Sequence, residues 1–169
     1  MGVMKLTINN IFIVIMLLSL TACGFKLRGL ISSLPFETIY IVAPLGNPIG
    51  PDLERAINSS TTTRIVRKKE DAEAILHIIS ATNDKRIMSL SGGGDVREFE
   101  LIYRLNSRLV DTKGKEIIPS NEIVLTRILP FLNTQVLAKL AEEKLLYENM
   151  QQDAVQQLIW RLAALKTES

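Results

Sequence analysis

The middle of the chain alternates. Phe99, Leu101, Tyr103, Leu105 and Leu109 are apolar, and Glu98, Glu100, Arg104, Asn106 and Arg108 stand between them. A period of two with one apolar face predicts an antiparallel strand, packed on one side and wet on the other. Shorter β-branched runs predict strands at Thr38 to Ala43 and within Thr63 to Lys68, and a long one from Ala74 to Leu90. Between the two long strands, Ser91 to Asp95 reads Ser-Gly-Gly-Gly-Asp, a hairpin tip that three glycines should leave mobile. A second hairpin turn is expected at Asp111 to Lys115, followed by a strand from Glu116 to Leu129. Pro119 inside that strand marks it as an edge or a bulge, because proline has no N–H for a ladder.

The pattern changes to a helical period at two places. Gly50 as cap and Pro51 at the first helical position, with Asp52 and Glu54 in the first turn, predict a helix that ends at Ser59-Ser60-Thr61. Asn133 or Thr134 is suited to cap a long helix, since Thr134 to Leu165 contains neither proline nor glycine. Val136, Leu140, Tyr147, Ala154, Leu158, Leu162 and Leu165 share one face of it. Lys144, Glu148 and Gln151 interrupt that stripe, so either the helix bends near Asn149 or this stretch meets something polar. The order of elements predicts an α+β fold, with two helices packed on one face of a four- to five-stranded, mostly antiparallel sheet.

The first 22 residues follow neither pattern. They carry one charge, Lys5, and an apolar run from Ile11 to Leu18 that is too short to span a bilayer, which takes roughly 20 residues. This is the layout of a secretory signal. Leu20-Thr21-Ala22-Cys23 ends it and fits the lipobox of bacterial lipoproteins, and Cys23 is the only cysteine. The organisation expected is therefore a signal peptide at 1–22, a lipidated start and tether at 23–36, and one domain at 37–169. That resemblance implies cleavage before Cys23, a diacylglyceryl group on its sulfur and a further acyl chain on its amino group. Three chains exceed the two-signal requirement for stable anchoring. Gly24, where aspartate favours inner-membrane retention, resembles an outer-membrane address.

Charge narrows the partners. The chain has 20 Lys+Arg against 18 Asp+Glu, a formal charge of +2, or +1 without Lys5. Such a balance gives no global attraction to nucleic acid, so an anionic partner has to be met by a local patch. The chemistry of an enzyme is hard to assemble. His77 is the only histidine, inside Ala-Ile-Leu-His-Ile-Ile-Ser, and reads as a half-buried strand residue. No serine sits in a Gly-x-Ser-x-Gly elbow. The glycines at 92–94 lack the Gly-Lys-Ser/Thr of a phosphate loop. A binding or structural protein is expected, without a metal or cofactor beyond the lipid on Cys23.

Cys23 to Gly29, Cys-Gly-Phe-Lys-Leu-Arg-Gly, resembles the mature start of the LPS-assembly lipoproteins LptE, also called RlpB. Further similarities follow in order: Arg97-Glu98-Phe99-Glu100-Leu101, Asp111-Thr112-Lys113-Gly114, Leu125-Thr126-Arg127, Leu137 to Glu143, and Asp153 to Leu158. One departure is that Ile128 and Leu129 follow Arg127 where the family often has an aromatic. The resemblance implies an outer-membrane lipoprotein of the lipopolysaccharide export translocon. It implies a plug inside an LptD-like β-barrel, help in assembling that barrel, and binding of lipopolysaccharide. On this reading Arg86 and Arg97, flanking the glycine tip, and Lys139, early in the long helix, meet lipid A phosphates. The competing reading is a scaffold lipoprotein of another envelope machine that never touches glycolipid.

Overall fold

The computed structural model describes residues 34–131 and 136–165, all within one compact unit, Ile31–Ser169. The signal, Cys23 and most of the tether lie outside the described residues, as do Asn133 and Thr134. The elements are β1 (Thr38–Val42), α1 (Ile49–Ser60), β2 (Arg64–Ile65), a 3-10 turn (Lys69–Asp71), β3 (Ala74–Leu90), β4 (Val96–Asp111), β5 (Glu116–Pro130) and α2 (Val136–Ala164).

The strands form one sheet in the order β2-β1-β3-β4-β5. β1 is parallel to both β2 and β3, and β3–β4 and β4–β5 are antiparallel. The antiparallel pairs are long, and β1 covers only the first residues of β3, Ala74 to His77. The β3–β4 hairpin, with β5 beside it, therefore runs past β1 and β2. Its start, beside the beginning of β1, is called the proximal end below, and its tip the distal end.

Alternation decides which side is packed. Leu76, Ala81, Leu101, Tyr103, Leu105, Leu109, Ile123, Leu125 and Leu129 turn to the near face, where α1 and α2 close the core with Leu53, Ile57, Ala154, Leu158 and Leu162. The core also takes in Leu34 and Phe36. These two residues belong to the fold rather than to the expected tether, because their side chains are buried where the chain approaches β1. The far face carries a small second cluster of Ala72, Ile75 and Val110, with Tyr40 and Val66 against it.

Several local expectations are refined. Helix α1 begins one residue before Gly50, with Pro48 as its cap, and the Asn47 carboxamide accepts the Ile49 N–H at 3.0 Å. Gly50 is inside the first turn and buried, and a Cβ there would come within 3.2 Å of the Ala43 Cβ. Close approach to β1, and not capping, is what glycine serves here. Pro119 meets both alternatives offered for it: β5 is an edge strand, and its register with β4 slips between the Ser107–Asn121 and Leu109–Ile118 pairs.

The glycine tip is held by hydrogen bonds. Ser91 N–H donates to the Asp95 carbonyl at 2.7 Å, Gly94 N–H donates to the Ser91 carbonyl at 3.0 Å, and the Ser91 hydroxyl accepts from Gly93 and Asp95 N–H. The second turn repeats this plan around Asp111. Gly114 N–H donates to the Asp111 carbonyl, and the Asp111 carboxylate accepts from the Lys113 and Lys115 N–H groups at 2.8 Å each. Gly94 and Gly114 alone of these turn glycines have positive φ, +89° and +85°. A left-handed residue closing such a loop is what glycine tolerates best.

Candidate interaction surface

Helix α2 is one continuous helical element through Asn149. Its buried residues begin at Met150 and continue with Ala154, Val155, Leu158, Ile159 and Leu162. Val136 and Leu140, expected to face the core, are 44% and 53% exposed. Leu146 and Tyr147 pack against the core from this first half, and its other inward contacts are polar. Lys85 Nζ lies 2.6 Å from Glu143 Oε2 and 4.4 Å over the Phe99 ring. The Tyr147 hydroxyl donates to the Asp84 carbonyl at 2.6 Å. Gln151 Nε2 donates to Asp52 Oδ2 at 2.6 Å, and the Tyr103 hydroxyl points to Gln151 Oε1 at 3.5 Å. Glu143, Tyr147 and Gln151 continue at helical spacing into Ala154, Leu158 and Leu162, so one face turns inward along both halves and only its chemistry changes.

This polar seam borders an open groove of about 780 Å³, lined among others by Asp52, Asn83, Lys85, Glu143, Tyr147 and Gln151. Burial raises both phenols. Tyr103 is pushed up to about 12 by desolvation, then by the Asp52 charge. Tyr147 is also pushed to about 12, by desolvation first and then by Glu143 and Asp84. Both are neutral donors at physiological pH, as their hydrogen bonds require.

At the distal end apolar side chains stand open: Ile87, Met88 and Leu90 on β3, and Ile128 on β5, each more than half exposed. A hollow of about 790 Å³ there is lined by Leu90, Val96, Arg97, Pro130 and Phe131, among others. Phe131 stacks edge-on against Phe99 at 5.1 Å.

The three cations singled out in the sequence do not converge. Arg86 is on the far face, paired in register with Glu100 and ion-paired to it. Arg97 is exposed, in the bulge between the Ser89–Glu98 and Leu90–Val96 pairs, at the mouth of the distal hollow. Lys139 is on α2, on the near-face side, and binds Glu142 at 2.8 Å. The pairing sets Arg86 against a glutamate, and register shifts between Ile87 and Leu90 leave Arg97 in a bulge and not beside it. Lys85 was overlooked in the sequence. Its signal was an alternation that sets it on the same face as Leu101, its register partner.

Residues 34–162 match the LptE family, described as lipopolysaccharide-assembly. The chain belongs to the LptE family. It is 26% identical over 149 residues to the LPS-assembly lipoprotein LptE of Pectobacterium atrosepticum, covering 85% of this chain and 78% of that one. Against the LptE of Yersinia enterocolitica the figures are 29% over 150 residues, 83% and 68%. The solution structure of an uncharacterized lipoprotein B from Nitrosomonas europaea superposes with a TM-score of 0.75 at 54% identity, covering 86% of this chain and 94% of that one. Rare lipoprotein B from Shewanella oneidensis shares the fold at 20% identity, with a TM-score of 0.66 and coverage of 77% and 96%. Membership in this family assigns the chain to lipopolysaccharide assembly. No helix among the described residues is long and apolar enough to cross a membrane.

Proposed function

We propose that this LptE-family chain is anchored in the outer membrane through acylated Cys23, plugs an LptD-like β-barrel and helps it assemble, and binds lipopolysaccharide at its distal end. This is binding and assembly work, not catalysis. The observation that carries the reading is the amphipathic distal end, where Ile87, Met88, Leu90 and Ile128 lie exposed near Arg86 and Arg97. A phosphorylated glycolipid presents the complementary pairing of acyl chains and phosphates, and arginine binds phosphate through charge-assisted bonds. Lys139 adds a cation on α2. The far face supports the plug reading. Arg86–Glu100, Arg104–Asp84 and Arg104–Glu122 lace it with ion pairs, and such a mixed-charge surface suits a polar barrel lumen.

Two measurements test the proposal. Co-purification with an outer-membrane β-barrel is expected, and its absence removes the plug. Charge reversal at Arg86, Arg97 and Lys139 together should weaken lipopolysaccharide binding by a few kcal/mol, at roughly 1.5–3 for each charged hydrogen bond lost. Wild-type affinity of the triple variant at low salt removes this cluster from the site.

A further inference from the structure

The described residues divide their cations unevenly. Arg55, Lys85, Arg86, Arg104, Arg127, Lys139 and Lys144 have carboxylate partners, and Arg161 donates to Asn121. Arg64, Arg67, Lys68, Lys69, Arg108, Lys113 and Lys115 make no such contact with any described residue and stand at the proximal end of the sheet, and Arg97 makes none at the distal end. Carboxylates share that end, so the end as a whole is not strongly basic. One spot on its far face is. His77 and Arg108 are direct partners across β3 and β4, on the face opposite the helices, because their neighbours Leu76 and Leu109 are in the core. Partners across an antiparallel pair have their Cα atoms about 5 Å apart. Lys69, on the 3-10 turn that leads into β3, is near enough for its charge to act on His77 as well.

The groups facing His77 are of one sign. Burial comes first in lowering its pKa, followed by the charges of Arg108 and Lys69. By position the carboxylates around this spot are Glu73, just before β3, Glu116 on β5, opposite Val110, and Glu70 and Asp71 on the 3-10 turn. None of them forms an ion pair with Lys69 or Arg108. On β1, His77 is opposite Val42, which is 37% exposed, and Tyr40 is next along that face.

We propose that Lys69, His77 and Arg108 form a docking spot for an anionic phospholipid surface, apart from the distal end assigned to glycolipid. The occupant follows from chain length. Ten residues lie between Cys23 and Leu34, and the eleven steps from one to the other span at full extension no more than about 40 Å. A lipid-anchored Cys23 thus keeps the proximal end, where β1 begins, within reach of the headgroups. The spot rests on the lipid-anchor reading for its nearness to a membrane, and on side-chain chemistry for its sign.

The test uses the processed chain from residue 23 with Cys23→Ala. Removing the lipid and the leader makes binding independent of acylation, which the mass of the native protein reports separately. This chain retains every core residue described. His77 is the only histidine, and its imidazole signal is a single reporter in NMR titration. Bicelles containing phosphatidylglycerol should raise the His77 pKa by about one unit, because a phosphate set against it favours the charged form. Bicelles of phosphatidylcholine alone should not. Lys69→Gln and Arg108→Gln should each weaken retention on phosphatidylglycerol vesicles about fivefold, and Lys69→Arg with Arg108→Lys should restore it. Equal behaviour toward the two lipids overturns the proposal. So does undiminished retention of the glutamine variants. A His77 shift with inorganic phosphate but no retention on vesicles overturns it as well, leaving a free-anion site.

Discussion

Single residues show how local geometry sets the cost of a change. Gly94 has φ +89° with open space around it, whereas Gly92 and Gly93 are not in the positive-φ region. Gly94→Ala should cost about 1–2 kcal/mol through left-handed strain. Gly93→Ala should be neutral or slightly stabilising, by about 0.4–1 kcal/mol, since it restricts the unfolded chain. Urea unfolding of both variants checks the contrast, and equal midpoints would mean that the tip is not closed as described. His77 gives a pH signature. Its folded-state value is lowered from 6.5, so the unfolded chain takes the proton more readily. Its contribution is complete above 6.5 and is lost as pH falls through the folded value. His77→Gln should flatten that part of the melting-temperature profile, which scanning calorimetry can follow from neutral to mildly acidic pH.

Helix α2 joins two kinds of packing within one element. Its second half is held by apolar burial, and its first half by Lys85–Glu143, Tyr147 on the Asp84 carbonyl, and Gln151 on Asp52. Leu158→Ala, at a side chain that is 4% exposed, should cost about 2–5 kcal/mol. Leu140→Ala, at 53% exposure, should stay within about 0.5 kcal/mol. Denaturant midpoints separate the two, and a large loss at Leu140 would mean that the first half of the helix packs more tightly than this. The same seam predicts alkaline weakening. Tyr103 and Tyr147 are raised from 10.0 to about 12, so the folded chain keeps protons that the unfolded chain releases. Stability is full below 10 and declines as pH rises toward 12. Replacing both residues with phenylalanine should reduce that decline, as read by circular dichroism against pH.

For the whole molecule, the described residues from Leu34 onward supply a core shared by the sheet and both helices. Cys23→Ala behind a cleavable signal should therefore give a folded protein released from the membrane fraction. Loss of cooperative unfolding would instead give Cys23 a structural part.

Alternation along Phe99 to Leu109, the two glycine-bearing turns and the proline-marked edge strand could be read directly from the order of residues. Each is set by neighbours one to four positions apart. The polar break in α2 was equally visible at Lys144, Glu148 and Gln151, but its meaning was not. Only the fold brings Gln151 to Asp52 and Glu143 to Lys85, across separations of 99 and 58 residues. The parallel pairing of β1 with β2 and β3 was also closed to sequence, because a short apolar run carries no record of its partner's direction. The candidate cations divide in the same way. Their positions beside the tip were legible, and the far face for Arg86, the bulge for Arg97 and the near-face helix for Lys139 were not. Sequence by itself determined which residues are apolar, where the chain turns and to which family it belongs. Tertiary structure decided which charges share a face, because a strand turns its side chain over at every residue and the register alone selects what stands opposite.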